Sequence, residues 1–164
     1  MDVPKPAVDR DTLAFRRFQT ELMLTFSRVH QQILRRTAER LGVAGFHDIT
    51  PARANALIVL FNARRPINAR ELARELAITE VTVSRFLSKM EADGWVERTP
   101  DPDDGRAMLI APTAYARDVF PRLVDVCNAV LDDLFGGFSK GGLTALADEL
   151  GRVQANLEPG PIDK

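Results

Sequence analysis

Apolar residues fall into stripes along this chain, and the spacing within each stripe names the element that carries it. Phe15, Phe18, Leu22, Phe26, Val29 and Ile33 recur at spacings of 3, 4, 4, 3 and 4, the stripe of an amphipathic helix. The pattern predicts a helix from Asp11 or Thr12, either of which can cap it, to about Arg40. At ~1.5 Å per residue such a helix is about 40 Å long, more than a small core needs. Part of its apolar face is therefore expected to pack outside its own domain. Gly42 and Gly45 end it. Thr50-Pro51, a cap followed by proline at the first helical position, opens a helix with Leu57, Leu60 and Phe61 on one side. A short extended piece after Arg64-Arg65-Pro66 leads to Asn68, which forms with Glu71 an Asn-x-x-Glu variant of the capping box and starts a helix through Leu76. The turn Ala77-Ile78 leads to Thr79, a further cap, and to a helix from Glu80 to Asp93 stopped by Gly94. Two short helices joined by so tight a turn are the signature of a helix-turn-helix.

Beyond Gly94 the period changes. Trp95-Val96-Glu97-Arg98-Thr99 reads as a strand, Pro100 to Gly105 as a polar turn, and Ala107-Met108-Leu109-Ile110 as a second strand. A hairpin directly behind a helix-turn-helix is a wing. Pro112 cannot donate to a strand ladder, so the second wing strand is expected to stop by Ala111, and Thr113 can cap the next helix. That helix carries the apolar doublets Val119/Phe120, Leu123/Val124, Val126/Cys127, Val130/Leu131 and Leu134/Phe135, a stripe wide enough to be buried on two sides. In the last helix Leu143, Leu146, Leu150, Val153 and Leu157 repeat at 3, 4, 3 and 4, a heptad-like seam. Long helices at both ends with surplus apolar surface imply a helical dimerisation layer. The alternative is a monomer whose two ends pack on each other. The fold class is mainly α with a small β-wing (α+β): a winged helix-turn-helix with N- and C-terminal helical dimerisation arms.

Composition narrows the function by exclusion. The 164 residues are 45% hydrophobic and 27% charged, ordinary values for a globular protein. No stretch approaches the ~20 apolar residues that cross a bilayer, and the opening MDVPKPAVDRD has no apolar signal core. The lone Cys127 rules out an intrachain disulfide and points to the reducing cytoplasm. Its place on an apolar helix reads as an inert buried thiol rather than an oxidation sensor. Two histidines, His30 and His47, lie too far apart with that cysteine for a structural zinc site. Gly-rich phosphate loops, HExxH and GxSxG are absent. No enzyme chemistry, metal or cofactor is expected.

A net charge of −1 looks unsuited to nucleic acid, but the charge is uneven. Residues 1–63 carry 9 Lys/Arg against 6 Asp/Glu, residues 64–112 carry 8 against 9, and residues 113–164 carry 5 against 8. What matters is whether cations share a face. On the helix from Glu80, Val83, Phe86, Leu87 and Met90 lie at 0, +3, +4 and +7 and face the core. Thr82, Arg85 and Lys89, joined by Ser88, lie on the other side. Arginine can bond a guanine edge with two donors, hydroxyls reach bases or phosphates, and lysine neutralises phosphate. The helix N-terminus at Thr79 adds backbone donors for a phosphate. Read alone this is a solvated face; between a two-helix turn and a hairpin it is a recognition surface for double-stranded DNA. Arg106, just past the wing tip, reads as a minor-groove or phosphate contact, with a neighbouring carboxylate holding its guanidinium. The acidity of the tip, at Asp101, Asp103 and Asp104, opposes this unless those aspartates are paired.

The chain from its long first helix through INARELARELAITEVTVSRFLSKMEADGWVERTPDPDDGRAMLI to its closing helices resembles the MarR family of winged-helix regulators. The run Thr82 to Arg85, the turn Gly94-Trp95-Val96, Arg98, and Asp104-x-Arg106-Ala107 match the family pattern in order and spacing. The resemblance places Thr82, Ser84, Arg85 and Lys89 on the recognition helix, makes Arg106 the wing arginine and Asp104 the acid that orients it. It implies a homodimer on a roughly palindromic operator, usually repressing and usually released by a small molecule or oxidation. Family ligands are small aromatic acids and phenols held between the arms and the winged domain, and by position the lining here is Phe26, Phe46, His47 and Arg53. The departure at Ala111-Pro112, where the family has Leu-Thr, implies a stiffer or differently angled junction. The expected division is a flexible tail 1–10, a dimerisation helix 11–49, the winged domain 50–112, closing helices 113–157 and a tail 158–164. A second reading of the same elements is a winged-helix protein-interaction module that does not read DNA.

Overall fold

The computed structural model describes residues 10–157; the tails expected at 1–10 and 158–164 lie outside them, apart from Arg10, which opens the first helix. The helices are α1 (Arg10–Val43), α2 (Pro51–Ala63), α3 (Ala69–Glu75), α4 (Glu80–Ala92), α5 (Ala114–Phe135) and α6 (Lys140–Leu157), with strands β1 (Ile67–Asn68), β2 (Val96–Pro100) and β3 (Met108–Pro112). Their starts follow from local chemistry. Thr50, Asn68, Thr79 and Thr113 each cap a helix by accepting the backbone N–H three residues on, and Asn68 with Glu71 completes a reciprocal capping box.

The turn of the helix-turn-helix is a Schellman motif. Ile78 N–H donates to Ala73 O at 3.0 Å and Ala77 N–H to Arg74 O at 3.1 Å, which requires a left-handed residue between them. Ala77 takes that role with φ of 52°, a conformation that favours glycine. After α4 the same motif recurs with a glycine in place: Gly94 has φ of +78°, and Trp95 N–H reaches Met90 O at 2.8 Å.

The extended piece before Asn68 is a true strand. The sheet runs β1-β3-β2, all antiparallel, with Ile67 opposite Ile110 and Val96 opposite Pro112. The second wing strand therefore extends through Pro112 instead of stopping by Ala111. The reason lies in the direction of successive N–H groups. Thr113 N–H donates toward β2, to Trp95 O at 3.2 Å, so the Pro112 nitrogen points to the opposite edge, which β1, beginning at Ile67 opposite Ile110, does not reach. No ladder bond is lost.

The core gathers Leu57 and Leu60 of α2, Leu72 of α3, Val83, Leu87 and Met90 of α4, Trp95, Val96 and Ile110 of the wing, and Leu123 of α5. Phe86, expected among them, is only partly buried at the rim. α5 joins this body to the arm. Phe120 stacks on Phe61 at 3.5 Å between ring centroids, and Val126 and Val130 are buried. Of the outer members of its doublets, Phe120, Val124, Cys127 and Phe135 are partly buried and Leu131 remains 49% exposed among the described residues. α6 buries none of its residues, and Leu146, Leu150, Val153 and Leu157 stay exposed together with Leu13, Phe15, Phe18 and Leu22 of α1.

Candidate nucleic-acid interface

The exposed face of α4 is fixed by its buried one. Val83, Leu87 and Met90 point inward, which turns Thr82, Ser84, Arg85, Ser88 and Lys89 to the surface. At the N-terminus the Thr79 hydroxyl accepts from Thr82 N–H at 3.2 Å and lies 2.9 Å from the Thr82 hydroxyl. Both hydroxyls therefore sit at the positive end of the helix dipole. Arg85 forms no ion pair among the described residues. Lys89 differs: it pairs with Asp93 one turn on, and Asp93 also lies 3.7 Å from the Arg53 guanidinium. Lys89 keeps 59% of its side chain exposed while Asp93 keeps only 15%, so the pair is half-buried and its lysine end is the one that faces solvent.

The wing faces α4 across a groove of about 510 Å³ whose walls include Asn68, Arg70, Ser84, Arg98, Asp104 and Arg106. Arg106 is exposed, without an ion pair among the described residues. Its neighbour Asp104 works differently from the sequence-based expectation. The Asp104 carboxylate accepts the Arg106 backbone N–H at 3.0 Å, and no contact to the Arg106 guanidinium forms. Asp104 O also accepts from Ala107 N–H at 2.8 Å, Asp101 N–H donates to Ala107 O at 3.0 Å, and the Asp101 carboxylate accepts from Asp103 N–H at 2.9 Å. Two of the three acids at the tip thus hold the turn itself. Asp104 holds the main chain at Arg106.

Arg98 emerges as a further member of the surface. It lies two residues beyond buried Val96 on β2, which directs it toward α4. Its guanidinium sits 3.2 Å from Glu91 and donates to the Ser88 hydroxyl at 3.4 Å. Ser88 is therefore held from the wing. The two-residue period from Val96 was the signal available in the sequence. Arg70, on the opposite wall of the groove, pairs with Glu80 at 3.3 Å.

Of the four residues expected around an effector, Phe46 and Arg53 make contacts within the fold and His47 and Phe26 are exposed. Phe46 is buried, its ring 6.2 Å from Trp95 and under the Arg122 guanidinium at 5.2 Å. Arg53 donates to Asp48 O at 2.7 Å. His47 is exposed on the same loop, and Phe26 lies on the uncovered face of α1. None of the four lines the cavity of about 460 Å³ between α1 and α5, whose walls include Val29, Ile33, Arg36, Val130 and Asp133. There Asp133 accepts from Arg40 at 2.7 Å, and that bond, with the charges of Arg40 and Arg36, holds its carboxyl below the usual range. Half-buried Cys127 has its thiol pKa raised by burial, which disfavours the reactive thiolate. Among the described residues no helix is long and apolar enough to cross a membrane, and no three metal-ligating side chains converge.

Residues 47–107 match the model of the MarR family. The chain is 22% identical over 127 residues to the uncharacterised HTH-type transcriptional regulator YybA of Bacillus subtilis, covering 77% of this chain and 85% of that protein. Over 87 residues it is 26% identical to the HTH-type transcriptional regulator SarZ of Staphylococcus haemolyticus, covering 53% of this chain and 58% of that one. Among solved structures, a cysteine-to-serine mutant of MarR from Escherichia coli complexed with operator DNA superposes with a TM-score of 0.72 at 24% identity, over 81% of this chain and 93% of that one. The transcriptional regulator BldR from Sulfolobus solfataricus gives 0.72 at 19% identity, over 85% and 96%. At these identities the structural likeness is one of fold.

Proposed function

We propose that this chain, whose residues 47–107 match the MarR family model, is a transcriptional regulator of that family that binds operator DNA as a homodimer. The observation that carries the reading is the placing of Arg85 and Arg106. Both are exposed, neither is paired within the described residues, and they stand on the recognition helix and the wing. A helix with Thr82, Ser84, Arg85 and Ser88 outward suits the major groove, and a wing arginine suits the flanking minor groove. The solvent-facing ammonium of Lys89 can turn from Asp93 to a phosphate.

The dimer is supported by the uncovered apolar faces of α1 and α6, which include Phe15, Phe18 and Leu22, and Leu146, Leu150 and Val153. Faces of this extent on one monomer mark an interaction surface. Two copies related by a two-fold axis present two recognition helices to a roughly palindromic site. Residues 11–49 and 113–157 then form the dimerisation layer and 50–112 the reading domain. Repression, with release by a small aromatic acid or phenol, is the form of control that the family resemblance implies.

The test is selection of bound sequences from random duplex DNA at about 0.15 M salt. The expected result is an inverted repeat with half-sites about one helical turn apart. Absence of any enrichment by a folded, dimeric protein overturns the reading in favour of a protein-interaction module.

A further inference from the structure

We infer that Val81 reads a thymine methyl group in the major groove and so sets one base of each half-site. The inference rests on the DNA-binding reading above and deepens it. Val81 is 71% exposed, an apolar side chain on a face otherwise made of hydroxyls and cations. Nothing in its own helix calls for it. It lies in the first turn of α4, where Thr79 is the cap and bonds Thr82, and a β-branched residue at an exposed helical position has a lower propensity than alanine or a straight chain.

Its angular position decides what it would meet. At 3.6 residues per turn, Val81 lies about 160° round the helix from buried Val83, and Arg85 about 160° the other way. These two therefore flank the crown of the exposed face. Ser84 turns toward the wing groove, whose wall it forms, and Thr82 turns to the opposite shoulder. The crown of a recognition helix, in its N-terminal turns, is the part that reaches base edges, whereas the shoulders meet phosphates.

A valine at the crown has no donor or acceptor to offer. The only apolar feature that base pairs present in the major groove is the thymine C5-methyl group. Val81 and Arg85 are one turn apart, about 6 Å along the helix axis. The thymine is then expected within about two base pairs of the guanine bonded by Arg85.

Deoxyuridine provides the probe, since it keeps every hydrogen-bonding group of thymine and lacks only the methyl. On the selected operator, each thymine of both half-sites is replaced in turn by deoxyuridine, and affinity is measured for the full-length wild type and for Val81→Ala. The wild type should weaken roughly fourfold per methyl at one symmetry-related pair of thymines, as expected for one buried carbon. Val81→Ala should bind both duplexes equally, with an unchanged thermal melt. If the wild type is indifferent to every deoxyuridine, or Val81→Ala keeps the full discrimination, the assignment of Val81 is overturned while the DNA-binding reading stands. If no sequence is selected at all, the reading itself falls and this inference with it.

Discussion

The indole N–H of Trp95 donates to the Asp48 carboxylate at 2.7 Å, tying the foot of the wing to the loop that follows α1, 47 residues earlier. The ring around that bond is 1% exposed and packs against Phe46 and Tyr115 at 6.2 and 5.1 Å. The Thr113 hydroxyl donates to Gly94 O at 2.6 Å and caps α5, so wing, arm and recognition helix meet at one point. Asp48→Ala leaves a buried indole donor without a partner and should cost about 1–3 kcal/mol. Asp48→Asn keeps an acceptor and should cost less. Because Trp95 is the single tryptophan, its fluorescence in a urea titration follows the transition at the site of the change. Equal midpoints for wild type and Asp48→Ala would show that the bond adds nothing.

Ala77 predicts a gain in stability. With φ of 52° it holds a conformation that costs an L-residue roughly 1–2 kcal/mol, while both Schellman hydrogen bonds require it. Ala77→Gly removes that strain, and the added freedom of the unfolded chain offsets part of the benefit. The expected result is a stabilisation of up to about 1 kcal/mol in denaturant unfolding, with DNA affinity unchanged. Destabilisation would mean that the turn relaxes away from the left-handed conformation.

Much of this fold is written in short-range signals. The caps at Thr50, Asn68, Thr79 and Thr113 are each decided by a side chain and an amide three residues away, and such chemistry is legible in sequence. Whether Pro112 ends the strand depends on which edge its nitrogen faces and on where β1 begins along that edge, more than forty residues earlier. The site divides in the same way. The outward face of α4 follows from its period, but the Arg98 contact to Ser88 joins two elements. The use of Asp104 on backbone rather than guanidinium depends on how the wing tip closes. Phe46 and Arg53 look in sequence like groups available to a ligand. Tertiary packing commits them instead to Trp95 and Arg122, and to Asp48 and Asp93.

Acid should loosen the helix-turn-helix through Glu71. Its carboxylate bonds the Arg65 guanidinium at 2.8 Å and the Asn68 backbone N–H at 3.3 Å. The Arg65 hydrogen bond is the main cause that holds its pKa below the ordinary glutamate value. A depressed carboxyl stabilises the folded state above its unfolded pKa, and that contribution is lost as pH falls through the folded value. Stability should therefore drop below about pH 4.3, the ordinary glutamate value. Glu71→Gln should start lower at neutral pH and fall less steeply. Parallel pH profiles of unfolding midpoints for the two proteins would exclude Glu71 as a contributor.

The uncovered faces of α1 and α6 predict an assembly that a charge can break. Phe18 is 63% exposed and Leu150 44% exposed in the single chain. If they pack in a dimer, Phe18→Glu or Leu150→Glu buries an unpaired carboxylate there and should yield monomer by light scattering at micromolar concentration. Circular dichroism separates dissociation from unfolding. A wild type that is already monomeric would sink the dimer.

Arg85 and Lys89 should fail in different ways. Arg85 is an exposed cation with no ion pair among the described residues, placed to bond one base edge with two donors. Arg85→Ala should lose about 1–3 kcal/mol on the selected operator, concentrated at one base pair per half-site, while binding to scrambled duplex changes little. Lys89 is paired with Asp93, so a phosphate contact must first release that pair. Lys89→Ala should weaken cognate and scrambled DNA alike and flatten the dependence of affinity on salt by about one counterion per protomer. The mutant leaves the largely buried Asp93 carboxylate facing only Arg53, at 3.7 Å, so a stability loss of about 1–3 kcal/mol is expected beside the binding effect, and a thermal melt of the variant separates the two. Binding isotherms for both variants on both duplexes at several salt concentrations separate the two roles. If Arg85→Ala selects the same sequence as wild type with equal affinity, α4 does not read bases through Arg85.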